Sequence, residues 1–176
     1  MEKPSSYCTF VATLEDNDLN KIYHDTQYGF PIEDDNELFG RLILEINQAG
    51  LSWTTILKKQ KTFRLAYDNF NIQKVANYTQ KDIDRLLLDE GIIRNKLKIN
   101  AAIYNAQAIL KLQKEHKSFK NWLDIQPKME LKDWVKLLKK HFKFVGGEIT
   151  NEFLMSTGYL PGAHIKECQI YNKLKP

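Results

Sequence analysis

Apolar residues recur at helical spacing along most of this chain, and that periodicity is the feature that most limits its possible folds. No pair of segments alternates apolar and polar residues as half-buried strands do. The pattern predicts helices over residues 18–24, 38–49, 54–67, 80–90, 95–113, 119–125, 131–142 and 148–157. We therefore expect an all-α protein with seven to nine helices. If the protein has two lobes, the chain must leave one lobe and later return to it.

One helical stretch, residues 38–53, carries an unusual carboxylate. Glu45 falls on the same face as Leu38 and Leu42, and burying an acid there is costly unless it is hydrogen-bonded, paired or used in chemistry. Gly50 is predicted to end the helix by adopting a left-handed conformation, and Trp53 follows closely. Two interpretations stay open at this point: a partly exposed structural Glu with a core Trp, or a functional pair.

Composition and charge set the broad class of the protein. With 176 residues, 43% of them hydrophobic, the chain can bury a sizeable core. We find neither a signal peptide nor an apolar run long enough for a membrane helix, and we expect a cytoplasmic protein. Residues 1–90 carry 10 basic and 15 acidic side chains, whereas residues 91–176 carry 16 and 7. The basic half fits either a nucleic-acid footprint or a solvated lysine-rich face.

The two cysteines lie at opposite ends of the chain, each with a histidine within reach. Cys8 precedes His24, and His164 stands four residues before Cys168, a spacing that puts both side chains on one helical face. Together they have the composition of a closed Cys2His2 zinc site, which would be structural because no coordination position remains for substrate. The alternative is a pair of ordinary half-buried thiols.

A short glycine turn separates the predicted helices 80–90 and 95–113. Gly91, Ile92, Ile93 and Arg94 form it, and Lys96 and Lys98 follow. Backbone N–H groups at a helix start can hold a phosphate while nearby basic side chains supply charge, so the turn suits a DNA-binding hairpin. An ordinary helical hairpin fits the same pattern.

Read together, these motifs occur in an order that closely resembles the bacterial DNA-3-methyladenine glycosylase I family. The resemblance extends from Cys8 to the end of the chain. It is carried by Tyr23-His24-Asp25, Gly29, Leu38-Phe39, Glu45, Gln48 to Trp53, Gly91 to Arg94 with Lys96 and Lys98, Phe142 to Gly146, Phe153, Met155, and His164 to Cys168.

The resemblance implies a helix-hairpin-helix DNA glycosylase fold, with two helical lobes around a base-binding cleft and the chain ends joined by structural zinc. It implies one domain spanning 1–176, with the termini 1–30 and 158–176 tied at the zinc site and the hairpin at about 80–113. The reaction would be hydrolysis of the N-glycosidic bond of 3-methyladenine after base flipping, without a strand-cleaving lyase step. The partner would be double-stranded DNA carrying alkylated bases. We expect a monomer with no membrane association.

The resemblance also assigns roles by matching position. Glu45 would be the catalytic carboxylate that hydrogen-bonds the expelled base, with Trp53 as its stacking platform. Further substrate contacts would come from Tyr23, Tyr28 and Phe10. The DNA-binding residues would be Gly50, Leu51, Ser52, Gly91, Ile92, Ile93, Arg94 and Lys96, with Leu51 filling the gap left in the duplex. The zinc ligands would be Cys8, His24, His164 and Cys168.

Some positions depart from the family pattern. They are Gln27, Tyr28, Ile46, Asn47, Leu97 and Asn151. Ile46 adds bulk beside the key carboxylate and Tyr28 stands where the family usually has a larger ring, so base preference can differ from that of the family. These departures keep a second hypothesis open, a DNA-damage binding protein of the same fold with weak or no catalysis.

Overall fold

The computed structural model describes residues 5–174, and within this range it contains ten α-helices, two short 3-10 segments and no strand. The all-α prediction is confirmed, but the predicted count of seven to nine helices is too low. The helices are α1 (Tyr7–Val11), α2 (Leu19–Thr26), α3 (Asp35–Gln48), α4 (Trp53–Ala66), α5 (Ile72–Ala76), α6 (Gln80–Leu88), α7 (Lys96–His116), α8 (Phe119–Asp124), α9 (Leu131–His141) and α10 (Gly147–Ser156). The 3-10 segments are Asp68–Phe70 and Tyr171–Lys173.

The two helices that the periodicity missed, α1 and α5, have five residues each. A single turn is too short for a recurring apolar pattern, and its stability depends on capping and packing. Ser6 caps α1 in a reciprocal capping box with Thr9, and the Asn71 side chain accepts a hydrogen bond from the Lys74 N–H at the start of α5. These caps were the only local signals available in the sequence.

Several of the longer helices begin directly after a capping residue. The sequence predicted a helix over 38–49, but α3 begins three residues earlier, and the Asp34 side chain accepts from the Glu37 N–H at its start. Thr79 and Asp82 form a capping box at the start of α6. Asn95 caps α7 by accepting from the second and third N–H groups of that helix. A cap stabilises each of these starts because the first N–H groups of a helix have no intrahelical partner.

The chain divides into two compact units. One consists of both chain ends, Met1–Pro31 with Glu152–Pro176, and the other is the continuous segment Ile32–Asn151. The division falls within α10. The domain organisation predicted above stays a prediction. None of the described helices combines the length and apolarity that crossing a bilayer requires.

In the unit Ile32–Asn151, α3 is buried along most of its length. Phe39, Leu42 and Ile43 are almost completely enclosed. Gly40 lets the ring of Phe70 pack directly on the α3 backbone, since a Cβ at this position would collide with that ring. The helix that carries Glu45 is therefore held rigidly by tight apolar packing.

In the other unit, the two chain ends meet through backbone contacts. The Gly29 N–H donates to the Ser156 carbonyl at the end of α10. Gly29 has a φ of +80°, and a Cβ there would lie 2.9 Å from the Cβ of Ala163 and 3.3 Å from the His164 ring. A glycine is required because both the left-handed conformation and the close approach exclude a side chain. This contact brings the segment that carries His164 against the end of α2.

Candidate functional site

The four predicted metal ligands lie together in the unit made of the chain ends. Their donor atoms, the Sγ atoms of Cys8 and Cys168 and one ring nitrogen each of His24 and His164, lie within 4.8 Å of one another. Three of the four side chains are buried, and Cys168 is partly exposed. Neither thiol forms a disulfide. The sequence prediction that these residues meet is thus confirmed.

The distances between the donor atoms fit a metal ion with tetrahedral coordination. His24 Nε2 and His164 Nδ1 are 3.1 Å apart. The four sulfur–nitrogen distances range from 3.3 to 3.8 Å. With ordinary Zn–N and Zn–S bonds, a regular tetrahedron has N–N and N–S edges of about 3.3 and 3.6 Å. The cluster can therefore hold a metal ion without rearranging its backbone.

The second nitrogen of each histidine has its own partner. His24 Nδ1 lies 2.7 Å from Asp25 Oδ1, and His164 Nε2 lies 2.7 Å from the Tyr28 carbonyl. Both acceptors favour an N–H on that nitrogen, which leaves His24 Nε2 and His164 Nδ1 free to coordinate. Such outer partners are typical of metal-binding histidines. Sequence reasoning assigned no role to Asp25, although its position beside His24 was a usable signal.

The electrostatics of the cluster favour a cation. Burial raises the pKa of the Cys8 thiol, and the charge of Cys168 raises it further. Two neighbouring thiolates are therefore unfavourable unless a positive ion lies between them. Burial also lowers the pKa of His164, which keeps its imidazole neutral as a ligand must be.

Aromatic rings surround the histidines of this unit. Tyr23 and Tyr28, both predicted to contact substrate, are buried with ring centroids 5.8 Å apart, and the Tyr28 ring meets His164 edge-on at 5.7 Å. Tyr7 joins them, edge-on to Tyr28 at 5.3 Å, and stacks on Phe10 at 6.2 Å. Tyr7 was missed in the sequence because its ring contacts are with residues distant along the chain.

Glu45 lies in α3 of the other unit and is only 3% exposed. Its neighbour Ile46 is also buried, at 2% exposure, so the branched side chain that departs from the family pattern faces the interior. A carboxylate this deeply enclosed must be stabilised by partners or reserved for chemistry. This burial excludes the interpretation of Glu45 as a partly exposed acid, and its chemical role stays a prediction.

A tight turn follows α3. Ala49 has φ −50° and ψ 118°, and Gly50 has a φ of +82°, the conformation of a type II turn. The Leu51 N–H donates to the Gln48 carbonyl over 2.7 Å, and the Gln48 side-chain amide donates to the Leu51 carbonyl over 2.8 Å. Gly50 adopts the left-handed conformation that the sequence predicted. The turn holds the Leu51 side chain, which is 38% exposed, in a defined position.

The residues after the turn start α4. The Ser52 hydroxyl accepts from the Thr55 N–H and so caps the helix, of which Trp53 is the first residue. Trp53 is partly exposed, eight residues after the buried Glu45. The Ser52 hydroxyl already accepts this hydrogen bond. Any contact of Ser52 with DNA must therefore share the hydroxyl or come from its backbone.

The predicted hairpin is present as α6, a loop at 89–95 and α7. The loop is anchored to α4, because the Gly91 carbonyl accepts from the Thr62 hydroxyl over 2.6 Å and the Glu90 carbonyl accepts from Lys59 Nζ over 2.7 Å. Gly91 also has no room for a Cβ against Thr62. The anchoring fixes the loop on the protein surface.

The loop residues differ in what they can offer a phosphate. Ile92 is buried, and Ile93 is partly exposed. The side chains of Arg94 and Lys96 are exposed. Arg94 Nη1 lies 3.9 Å from Glu90 Oε1. Asn95 already accepts from the N–H groups of Leu97 and Lys98. Phosphate binding would therefore depend on Arg94, Lys96 and the earlier part of the loop.

Lys98 does not supply surface charge, which corrects the sequence expectation. It is 8% exposed, and its Nζ donates to the carbonyls of Asn47 and Ala49, each at 3.2 Å. The prediction was wrong because the side chain of Lys98, on the inner face of α7, turns towards α3 and away from solvent.

Comparison with known proteins gives one consistent result. A family model described as methyladenine glycosylase matches residues 13–130. The chain is 36% identical to DNA-3-methyladenine glycosylase 1 of Escherichia coli over 88% of this chain and 92% of the relative. It is 34% identical to DNA-3-methyladenine glycosylase of Haemophilus influenzae over 83% of this chain and 89% of the relative. Among solved structures, 3-methyladenine DNA glycosylase I of Staphylococcus aureus, described with its recognition of 3-methyladenine, matches with a TM-score of 0.81 and 32% identity over 95% of this chain and 97% of that one.

Proposed function

The chain belongs to the methyladenine glycosylase family and is a glycosylase, and from that premise we propose that it releases 3-methyladenine from double-stranded DNA by hydrolysis of the N-glycosidic bond. The observation that carries the proposal is the enclosed carboxylate of Glu45, on a rigid helix that runs directly into the turn bearing Leu51. The named activity of the relatives supports the same substrate.

Glu45 recognises the base and assists its departure. A 3-methylated adenine is cationic, so its bond to the sugar is already weakened and the base leaves with the bonding electrons as water adds to the sugar carbon. A buried carboxylate binds such a cation by a charge-assisted hydrogen bond of about 1.5–3 kcal/mol. Trp53 offers its ring face, which favours a cation by about 0.5–2 kcal/mol. Neither role requires a strong general acid.

The target base must leave the duplex before it can meet an enclosed carboxylate, so we propose that the enzyme flips the nucleotide. Extrusion costs a few kcal/mol, and alkylation of the base lowers that cost. Leu51 occupies the vacated space in the duplex, because its apolar side chain is partly exposed at the tip of a hydrogen-bonded turn. The turn is already ordered without DNA, which reduces the entropy lost on insertion.

The α6–α7 hairpin binds the DNA backbone. Arg94 and Lys96 supply the charge, and the loop is held on α4 by Lys59 and Thr62. Phosphate contacts of this kind position a protein on DNA without reading sequence. The predicted contacts through Gly50, Ser52, Gly91, Ile92 and Ile93 belong to the same proposal.

The metal held by the Cys2His2 cluster is zinc, in a structural role. Two thiolates and two imidazoles in a tetrahedral arrangement are the usual zinc ligand set, and four protein ligands leave no position for substrate. The ion joins the α1 and α2 region to the segment after α10 within one unit. The substrate contacts assigned to Tyr23, Tyr28 and Phe10, the monomeric state and the absence of a lyase step stay predictions.

Release of free base from alkylated DNA tests the proposal. The wild-type protein should release 3-methyladenine and leave an abasic site in an intact strand, which breaks only after alkali treatment. Glu45→Gln should slow release by about 10- to 100-fold, the value of one charge-assisted hydrogen bond. Glu37→Gln is the matched control, since Glu37 lies on the same helix, is exposed and pairs with Arg64. It should retain wild-type release.

Two outcomes would contradict the proposal. Release that is equal in wild type and Glu45→Gln would remove Glu45 from the mechanism. Tight, salt-sensitive binding to abasic-site DNA without base release would favour the damage-binding alternative that Ile46 and Tyr28 kept open. A panel of other alkylated bases in the same assay would show whether Ile46 has shifted the substrate preference.

A further inference from the structure

Lys98 is a buried ammonium with an unusual set of partners. It is 8% exposed, and its Nζ donates to two backbone carbonyls, those of Asn47 and Ala49. Within residues 5–174 no carboxylate forms an ion pair with it. Burying an ammonium without a counter-ion is costly, so the carbonyls it contacts must offset a large loss of hydration.

The position of Lys98 in its own helix does not explain its burial. It is the third residue of α7, at the helix end that carries partial positive charge, where a lysine is unfavourable. The two carbonyls that Lys98 contacts lie instead at the C-terminal end of a helix, α3. Asn47 is in the last turn of α3, where carbonyls lack intrahelical partners and carry partial negative charge. Lys98 thus donates hydrogen bonds to carbonyl groups that have no donor within α3.

Ala49 places the second contact inside the turn that carries Leu51. This residue is the first central position of the type II turn, and its carbonyl begins the peptide unit that leads to Gly50. In such turns the orientation of the central peptide unit defines the turn type. A donor that holds the Ala49 carbonyl therefore fixes this peptide unit and, with it, the direction of the Leu51 side chain.

We propose that Lys98 is a positioning residue that locks the Leu51 turn to the start of α7, so that the DNA-anchoring hairpin and the duplex-filling side chain move as one body. This inference rests on the proposed function, because it assigns Leu51 and the hairpin the roles given above. Burial lowers the pKa of Lys98 because the side chain loses hydration.

The consequence is a direct mechanical link between backbone capture and base extrusion. A phosphate bound at Arg94 or Lys96 sets the position of the α7 start, and Lys98, three residues beyond the hairpin loop, passes that position to the turn that carries Leu51. Loss of the link should leave DNA binding largely intact and impair the step in which Leu51 enters the duplex.

The test compares Lys98→Met with Lys98→Arg and measures kcat and KM for base release. Lys98→Met should lower kcat by about 10- to 100-fold, as expected for lost charged hydrogen bonds, with KM within about threefold of wild type. Lys98→Arg should restore most of kcat because it keeps a charged donor. Lys96→Met should instead raise KM, since Lys96 is exposed and contacts phosphate. Lys111→Met, exposed on the same helix, controls for the loss of one charge.

Amide hydrogen exchange in the free protein provides a second measurement that needs no substrate. The Leu51 amide, hydrogen-bonded to the Gln48 carbonyl, should exchange faster in Lys98→Met and near the wild-type rate in Lys98→Arg. If Lys98→Met does not fold, Lys98→Gln, which keeps an uncharged donor, replaces it in both assays. Faster exchange together with no base release by the wild type would support the positioning role and refute the proposed function.

Three results would overturn the inference. One is a Lys98→Met protein with wild-type kcat and wild-type Leu51 exchange. Another is a change confined to KM, which would make Lys98 a phosphate contact. The third is borohydride trapping of wild type, but not of Lys98→Arg, on abasic-site DNA, which would make Lys98 a nucleophilic amine.

Discussion

Replacing Asp25 by alanine should weaken metal binding by the Cys2His2 cluster about 10- to 100-fold, the usual cost of removing an outer partner of a metal ligand. The Asp25 carboxylate lies 2.7 Å from His24 Nδ1 and holds the ring with Nε2 facing the other donor atoms. Without it, His24 can rotate or change tautomer, and its nitrogen becomes a weaker base. At about 1.4 kcal/mol per factor of ten, the expected loss is about 1.4–2.7 kcal/mol of binding free energy.

The assay is competition with a chromophoric zinc chelator, combined with the metal content of the purified protein. Because the metal binds the folded state, the midpoint of unfolding in metal-containing buffer should fall in parallel with the affinity. Asp25→Asn should be intermediate, since the amide oxygen still accepts a hydrogen bond but carries no charge.

Asp16→Ala is the matched control for this prediction. Asp16 Oδ1 also lies near Lys21, 3.8 Å from its Nζ, but the Asp16 side chain is fully exposed. It should bind metal as the wild type does. Equal metal affinity in wild type and Asp25→Ala would refute the reasoning about His24, and a wild-type protein that binds no zinc would refute the metal assignment itself.

Three further predictions concern stability and can be checked by urea unfolding. Gly40→Ala should destabilise the protein by about 1–3 kcal/mol despite its better helix propensity, because the added Cβ collides with the Phe70 ring; wild-type stability would contradict this packing. Gly29→Ala should cost at least about 1–2 kcal/mol and reduce metal affinity, because its left-handed backbone and close contacts leave no room for a methyl group; unchanged metal affinity would contradict the second part. Asp82→Ala should cost about 1 kcal/mol at pH 7. The hydrogen bond from the Thr79 N–H lowers the pKa of Asp82, so its stabilisation is present above the unfolded pKa of about 4 and is lost as the pH falls through the folded pKa. The difference from wild type should therefore shrink as the pH falls below the unfolded pKa, and a constant difference would contradict the capping role.

The long helices and the metal cluster could be predicted from local sequence because their causes are local. Apolar spacing and caps such as Thr79 fix the helices, and Gly50 has the left-handed conformation that the end of α3 requires. The ligand types at Cys8 and Cys168 with their histidines were enough to suggest a tetrahedral site. The structure adds distances that agree with that chemistry.

What the sequence could not predict depends on tertiary contacts. Lys98 looked like one more surface charge because nothing in its neighbourhood along the chain indicates that the carbonyls of Asn47 and Ala49 lie within reach. Tyr7 was missed for a related reason, since its contacts are with Tyr23, Tyr28 and His24, which are distant in sequence. Side-chain direction on a helix face is set by what packs against that face, and only the fold supplies it.

The central claim is that Glu45 takes part in the release of 3-methyladenine. The most direct measurement is mass spectrometry of the free base released in a single turnover, with enzyme in excess over duplex DNA that carries one 3-methyladenine. We predict a wild-type rate well above the spontaneous rate, a Glu45→Gln rate lower by about 10- to 100-fold, and intact strands in both reactions. A wild-type rate equal to spontaneous loss of the base, in a protein that still binds the DNA, would contradict the account.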